Sequence, residues 1–200
     1  MTTSVIEQKA SRPILFSGPM VRVILAGEKT QTRRIVKLNM SGRVARGGKN
    51  WHIDDKNASL ACPYGQPGDM LWVRETWADV PHPGQGPKCK MSPDGRGATF
   101  RADWQGNPSG FKWRPSIHMP RWASRLALEI IGVRMERLRD ITRADAKAEG
   151  FMPQANGLES WAGKSYGNAQ LAFEACWREI NGIDSWEGNP LVWVVSFRVA

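Results

Sequence analysis

The sequence predicts an α+β fold, and three observations carry that prediction. Short strand-like runs bounded by turn residues recur along the chain, three segments have helical spacing, and long polar, Gly- and Pro-rich stretches separate them. Such a mixture argues for helices packed on a small curved sheet or barrel. No internal repeat is visible. A chain of 200 residues suits one domain, which could bury roughly 70% of its extended-chain surface.

The elements follow in order. Residues 1–12 are polar and mixed in charge and read as a tail ahead of a single domain over 13–200. Residues 13–16 read as a short strand and 19–26 as a helix, because Pro19 suits a first helical position, where a missing N–H costs nothing. Gly27 fits the helix end, where a left-handed backbone is easiest without a Cβ. Residues 30–36 form a second extended candidate, on which Thr30, Thr32 and Arg34 would share one face. Residues 39–57, with Arg43, Arg46 and Lys49, read as a basic loop.

Turn residues over 62–69 lead into a strong strand signal over 70–75. Most of the Pro and Gly falls in 79–97, which predicts a long surface loop. A brief strand is expected over 100–104, an extended stretch between the prolines of 114–122 and a long strand over 123–138. Residues 140–150 predict a helix capped by Asp140 or Thr142 and ended by Gly150. A last helix over 171–180, closed by Asn181-Gly182, precedes a strand over 191–199 with Val192, Val194 and Ser196 on one face. The long insertions therefore fall at about 39–61 and 78–121.

Charge and composition bound the function. Lys and Arg number 28 against 19 Asp and Glu, a net charge of +9 that favours an anionic partner such as RNA, DNA or a nucleotide. Cys62, Cys89 and Cys176 form no disulfide framework, which with the polar start predicts a cytoplasmic protein with no membrane partner. Neither these cysteines nor His52, His82 and His118 show metal-ligand spacing, so no metal or other cofactor is expected. Ten Trp against two Tyr is an unusual ratio, and Trp serves both as a core residue and as a stacking platform for bases.

The motif with most chemistry is Gly27-Glu28-Lys29-Thr30-Gln31-Thr32-Arg33-Arg34. It gathers an ammonium, hydroxyls and two guanidiniums at one turn, where a Lys can meet a strand hydroxyl. Read alone, it is first of all a solvated basic helix end. Gly27-x-Lys29-Thr30-x-Thr32-x-Arg34, the later Gly68-Asp69 before a strand, and a helix ending in Glu149-Gly150 together resemble the ASCH domain family of the PUA-like superfamily. That resemblance implies a small PUA-like β-barrel with flanking helices, a cleft between helix and sheet, and long loop insertions. In layout the chain is also similar to ASCH proteins carried by phages and prophages.

Family members divide between RNA-associated modules and a few enzymes. The enzymatic likeness is to bacterial amidohydrolases that deacylate N4-acetylcytidine. It implies Lys29, Thr32 and Glu149 as catalytic residues and an N4-acylated cytosine nucleoside as substrate. Arg34 matches the family's Arg and, with Arg33, Trp72, Trp113 and Trp122, completes the candidates for substrate binding.

Amide hydrolysis needs a nucleophile, a proton acceptor and a stabiliser for the oxyanion. Thr32 is either the nucleophile or the group that orients a water. Lys29 is a base only if its pKa falls by about 3 pH units, at a cost of about 4 kcal/mol. If it stays protonated it stabilises the oxyanion and Glu149 is the base; both schemes remain open at this level. The alternatives are a module that binds RNA or modified DNA without catalysis and, third, a ribonuclease.

Overall fold

The computed structural model describes residues 10–80, 89–104, 110–152, 159–161 and 164–200. In chain order the elements are β1 (Ser11–Leu15), α1 (Gly18–Leu25), β2 (Gln31–Ile35), β3 (Val44–Arg46), β4 (Lys49–Trp51), β5 (Met70–Arg74), β6 (Trp77–Val80), β7 (Lys90–Met91), β8 (Gly97–Phe100), β9 (Ala127–Arg137), α2 (Arg143–Ala148), β10 (Glu159–Trp161), β11 (Lys164–Tyr166), α3 (Ala169–Asn181) and β12 (Leu191–Val199). The α+β class is the one expected.

Five strands form the central sheet in the order β1-β5-β9-β12-β2. β1 pairs parallel to β5, and the other ladders are antiparallel. Among the described residues no backbone ladder joins β1 to β2. A side chain spans that gap, since Arg34 Nη2 on β2 donates to the Leu15 carbonyl of β1 at 2.6 Å. β12 is covered on both faces: Val192 and Val194 are buried on one, Trp193, Val195 and Phe197 on the other. The core lies between this sheet and the helices, with Val21 and Ile24 of α1 and Phe173 and Trp177 of α3 packed on Leu71, Leu128 and Val194. No helix among the described residues is long and apolar enough to cross a membrane.

Local chemistry explains the element ends. Thr142 is the cap of α2: its side chain accepts from Asp145 N–H while the Asp145 carboxylate accepts from the Thr142 N–H, a reciprocal capping box. Asn168 caps α3 by accepting from Leu171 N–H, so that helix begins at Ala169 rather than at the expected 171. β1 begins at Ser11, two residues inside the stretch read as a tail; residues 1–9 lie outside the described residues.

Four other expectations are corrected. The basic loop contains the hairpin β3–β4, whose turn residues Gly47 and Gly48 have φ of 56° and 77°. Both values are positive, as a two-residue type I′ turn requires, and Gly-Gly was the available signal. The 79–97 stretch is not simply loop, because β6, β8 and β7 pair there as a three-stranded sheet; residues 81–88 lie outside the described residues. The strand expected over 100–104 ends at Phe100 and gives way to a 3-10 turn at Arg101–Asp103. The stretch over 114–122 holds 3-10 turns at Ser116–His118 and Arg121–Ala123, and the second delays the start of β9 to Ala127.

The small sheet has its own apolar cluster of Trp77, Ala98, Phe100, Met119 and Ala123. A buried ion triad ties it to the core. Arg125 grips both oxygens of Glu75, at 2.9 and 3.1 Å, and donates to Asp103 at 2.5 Å. Glu75 is 1% exposed, and its burial raises its pKa against the opposing pull of Arg125.

Candidate functional site

The turn after α1 sends Lys29 inward. Gly27 has φ of 76°, and the N–H groups of Glu28 and Lys29 both donate to the Val23 carbonyl, at 2.9 and 3.1 Å. The next residue fixes the turn to the end of α2, because Thr30 N–H donates to Ala148 O at 2.8 Å. Glu149 is the C-cap of α2 and Gly150 follows with φ of 97°. A Cβ at Gly150 would stand 2.9 Å from Val23 Cγ2 and 3.2 Å from Lys29 Cβ. Glycine therefore satisfies both the left-handed backbone and the close approach of the two turns.

Those turns place Lys29 against Glu149. Lys29 Nζ donates to Glu149 Oε2 at 2.6 Å and to the Glu149 carbonyl at 2.9 Å. The two residues are 2% and 3% exposed. Burial lowers the Lys29 pKa, opposed by the charge and hydrogen bond of Glu149 and assisted by the Arg34 guanidinium. Phe16 supplies apolar cover, its ring centre 5.8 Å from Nζ.

Arg33 holds the other side of the carboxylate. Its Nη1 donates to Glu149 Oε1 at 3.2 Å and to Gln31 Oε1 at 2.8 Å. Its Nε and Nη2 donate to Glu136 Oε1 at 3.1 and 2.5 Å, and Nη2 lies 3.5 Å from Asp145 Oδ2. Arg134 closes the network from outside, donating to Glu136 Oε2 at 3.0 Å and Asp145 Oδ1 at 2.8 Å. Arg33, placed by sequence reading with the substrate-binding residues, lines the cavity and makes five nitrogen-to-oxygen contacts, one to Glu149 and the others to Gln31, Glu136 and Asp145.

Lys29, Thr32, Arg33, Arg34 and Glu149 all line one cavity of about 570 Å³. Thr32 is buried in its wall, and no hydrogen bond joins its hydroxyl to Lys29 or Glu149. Arg34 pairs with no carboxylate among the described residues; it bonds to Leu15 O and lies over Phe16 at 5.2 Å. The cavity also takes in Tyr64, Thr76, Ser116, Cys176 and Trp177, which sequence reasoning missed. Cys176 and Trp177 were visible only as apolar positions of a helix, and nothing in a lone Tyr, Thr or Ser marked the others. Burial pushes the Cys176 thiol up to about 12, with Lys29 pulling it down and Glu149 up, so it is a wall residue rather than a nucleophile.

The tryptophan candidates lie elsewhere. Trp72 on β5 has the guanidiniums of Arg74 and Arg121 over its ring at 5.4 and 5.5 Å. Trp113 packs with Phe111 and Trp104 at 5.7 and 6.3 Å. Trp122 lines a second cavity, on the small sheet. Among the described residues no three of His, Cys, Asp or Glu gather as metal ligands would.

No family model matches this chain. No curated protein shows significant sequence similarity to it. Among solved structures it aligns with a high-resolution crystal structure of an ASCH domain from Lactobacillus crispatus JV V101, at 12% identity and a TM-score of 0.44, over 100% of this chain and 86% of that one.

Proposed function

We propose that this chain is an ASCH-type, metal-independent amidohydrolase that removes acyl groups from N4-acylated cytosine nucleosides. The observation that carries the reading is the buried Lys29–Glu149 contact of 2.6 Å in the wall of a cavity of about 570 Å³ shared with Thr32. We take Lys29 as the base, because burial lowers its pKa. Glu149 occupies two positions on Nζ, and the third is the one that carries the lone pair when Lys29 is neutral. Arg33 meanwhile offsets part of the Glu149 charge, so that Glu149 does not by itself hold Lys29 protonated.

In this scheme the Thr32 hydroxyl attacks the acyl carbon as Lys29 takes its proton. The resulting oxyanion faces the Arg34 guanidinium, whose charge no carboxylate among the described residues offsets. Collapse breaks the bond to the exocyclic N4, which receives the proton from Lys29, and the acyl-Thr32 ester is hydrolysed by water. Glu149 orients Lys29 and stabilises the ammonium formed between the steps. Contacts of this kind often tighten only when substrate is bound, so the missing Thr32–Lys29 hydrogen bond in the free protein is compatible with the scheme.

Incubation with N4-acetylcytidine should yield cytidine and acetate in equal amounts. Lys29→Met and Glu149→Gln should each lower kcat by about 100-fold or more. No turnover across a panel of N4-acylcytosine nucleosides would overturn the reading. The second reading, a module binding RNA or modified DNA without catalysis, is favoured by the net charge of +9. It requires nucleic-acid affinity that falls steeply with salt, in a protein that leaves every acylated nucleoside intact.

A further inference from the structure

The second cavity, about 630 Å³, has no part in the chemistry above. Trp77, Trp122, Arg96, Arg114 and His118 stand in its walls. Arg96 lies over the Trp122 ring at 4.7 Å and Arg114 over the Trp77 ring at 5.4 Å, while the two rings meet edge to face at 5.8 Å. Trp77 is 3% exposed, and its Nε1 has no hydrogen-bond partner among the described residues. Buried indole N–H groups normally find an acceptor, so Trp77 keeps an unpaired donor behind this cavity.

The two cavities are neighbours. Thr76 and Ser116 line the first, Trp77 and His118 the second. Thr76 and Trp77 are consecutive, with Cα atoms about 3.8 Å apart. Trp77 is bridged to Arg114, just ahead of the Ser116–His118 turn. Consecutive residues of the chain therefore line the two cavities, next to Glu75 of the buried Glu75–Arg125 pair.

We propose that the second cavity binds the nucleotide next to the one whose base enters the Lys29 cavity, so that the substrate is a single-stranded oligonucleotide. The inference rests on the proposed function, and it adds the class of substrate. Trp122, partly exposed where Trp77 is buried, offers a neighbouring base a ring to stack on, and Arg96 and Arg114 offer its phosphate a positive charge. Arg96 and Arg114 do have carboxylate partners, Asp94 and Asp79. Both pairs are about half exposed, between 47% and 59%, and exposed ion pairs hold weakly. A phosphate can replace either carboxylate at little cost, with the advantage of bidentate geometry at Arg. Drawing two neighbouring bases out of a duplex into separate pockets costs unstacking and unpairing energy that a single strand does not spend, which favours a single strand.

The test uses the full chain with three probes: N4-acetylcytidine, ribo- and deoxyribo-trimers carrying one N4-acetylcytosine, and the same trimers without the acyl group. Trp122→Ala and Arg96→Ala should lower the ratio of trimer to nucleoside kcat/KM about tenfold. Arg96→Ala should also flatten the salt dependence of trimer binding by roughly one phosphate's contribution. The ribo and deoxyribo arms identify which strand is used. An unchanged ratio in variants whose melting is normal overturns the proposal while the deacylase reading stands. If no probe is hydrolysed, tryptophan fluorescence with the unacylated trimers decides the subsite independently: weaker binding by Trp122→Ala supports it, and equal binding overturns it.

Discussion

Arg33 holds Glu149 through the carboxylate oxygen that Lys29 does not use, Nη1 to Oε1 at 3.2 Å, while Lys29 takes Oε2 at 2.6 Å. The carboxylate is thus shared between two buried basic side chains. A buried Glu facing a single Lys would keep that Lys charged. A Glu that also serves Arg33 attracts the Lys29 proton less strongly.

Arg33→Gln should therefore raise the Lys29 pKa. The groups facing Lys29 are Glu149, Arg34 and Cys176. Those facing Arg33 are Glu149, Glu136 and Asp145. Removing Arg33 leaves the full Glu149 charge on Lys29, so the alkaline rise of kcat should move to higher pH. NMR titration of a 13C-methylated Lys29 reads the same shift without turnover; a fall or no change would contradict the arrangement.

The same sharing makes the two ends of the pair unequal for stability. In Lys29→Met, Glu149 keeps Arg33, so unfolding free energy at pH 7 should change by less than about 1 kcal/mol or rise. In Glu149→Ala, Lys29 loses its carboxylate and Arg33 one of three, and the cost should approach about 3–5 kcal/mol. The Lys29 pKa is lowered on folding from 10.5, so the unfolded chain binds the extra proton and stability rises with pH from the folded pKa towards 10.5. Urea unfolding from pH 7 to 10.5 should show that slope in the wild type and not in Lys29→Met.

Much of this was legible in sequence because it depends on local rules. Gly27, Thr142 and Gly150 announce helix ends, and the ends deliver Lys29 and Glu149. The Arg33 network was not legible. Glu136 and Asp145 look like ordinary surface acids until β9 and α2 are brought beside β2, a matter of long-range packing. The small sheet was hidden for a similar reason, since Gly97 and the short runs around it show no alternation that a strand reading can use. A Cβ at Gly97 would stand 2.5 Å from Val80 Cγ2, so that glycine is there for close strand approach rather than for a turn.

Gly150→Ala should damage the site without touching its chemistry. The added methyl meets Val23 and Lys29, and the residue must hold φ of 97°. Left-handed backbone alone costs about 1–2 kcal/mol, and the clash adds to it. We expect a lower Tm and a kcat loss comparable to that of Lys29→Met, because the Thr30–Ala148 hydrogen bond that fastens the two turns must shift. Wild-type kcat in a folded Gly150→Ala protein would show that the approach of the turns does not set the Lys29–Glu149 distance.

Acid should open the network from its outer edge, at Asp145. Burial raises its pKa, but the hydroxyl and N–H of Thr142, with Arg134 and Arg33, outweigh burial and bring it down to about 2 from 3.8. A depressed carboxylate stabilises the fold fully above 3.8, and the contribution is lost as pH falls through about 2. Asp145→Asn should remove that part of the acid slope, weaken the α2 cap and take one carboxylate from Arg33. Relieved of that acid, Arg33 should lean more on Glu149, so the Lys29 pKa should move down, opposite to its response in Arg33→Gln. Identical acid unfolding curves for wild type and Asp145→Asn would place the acid-sensitive contact elsewhere.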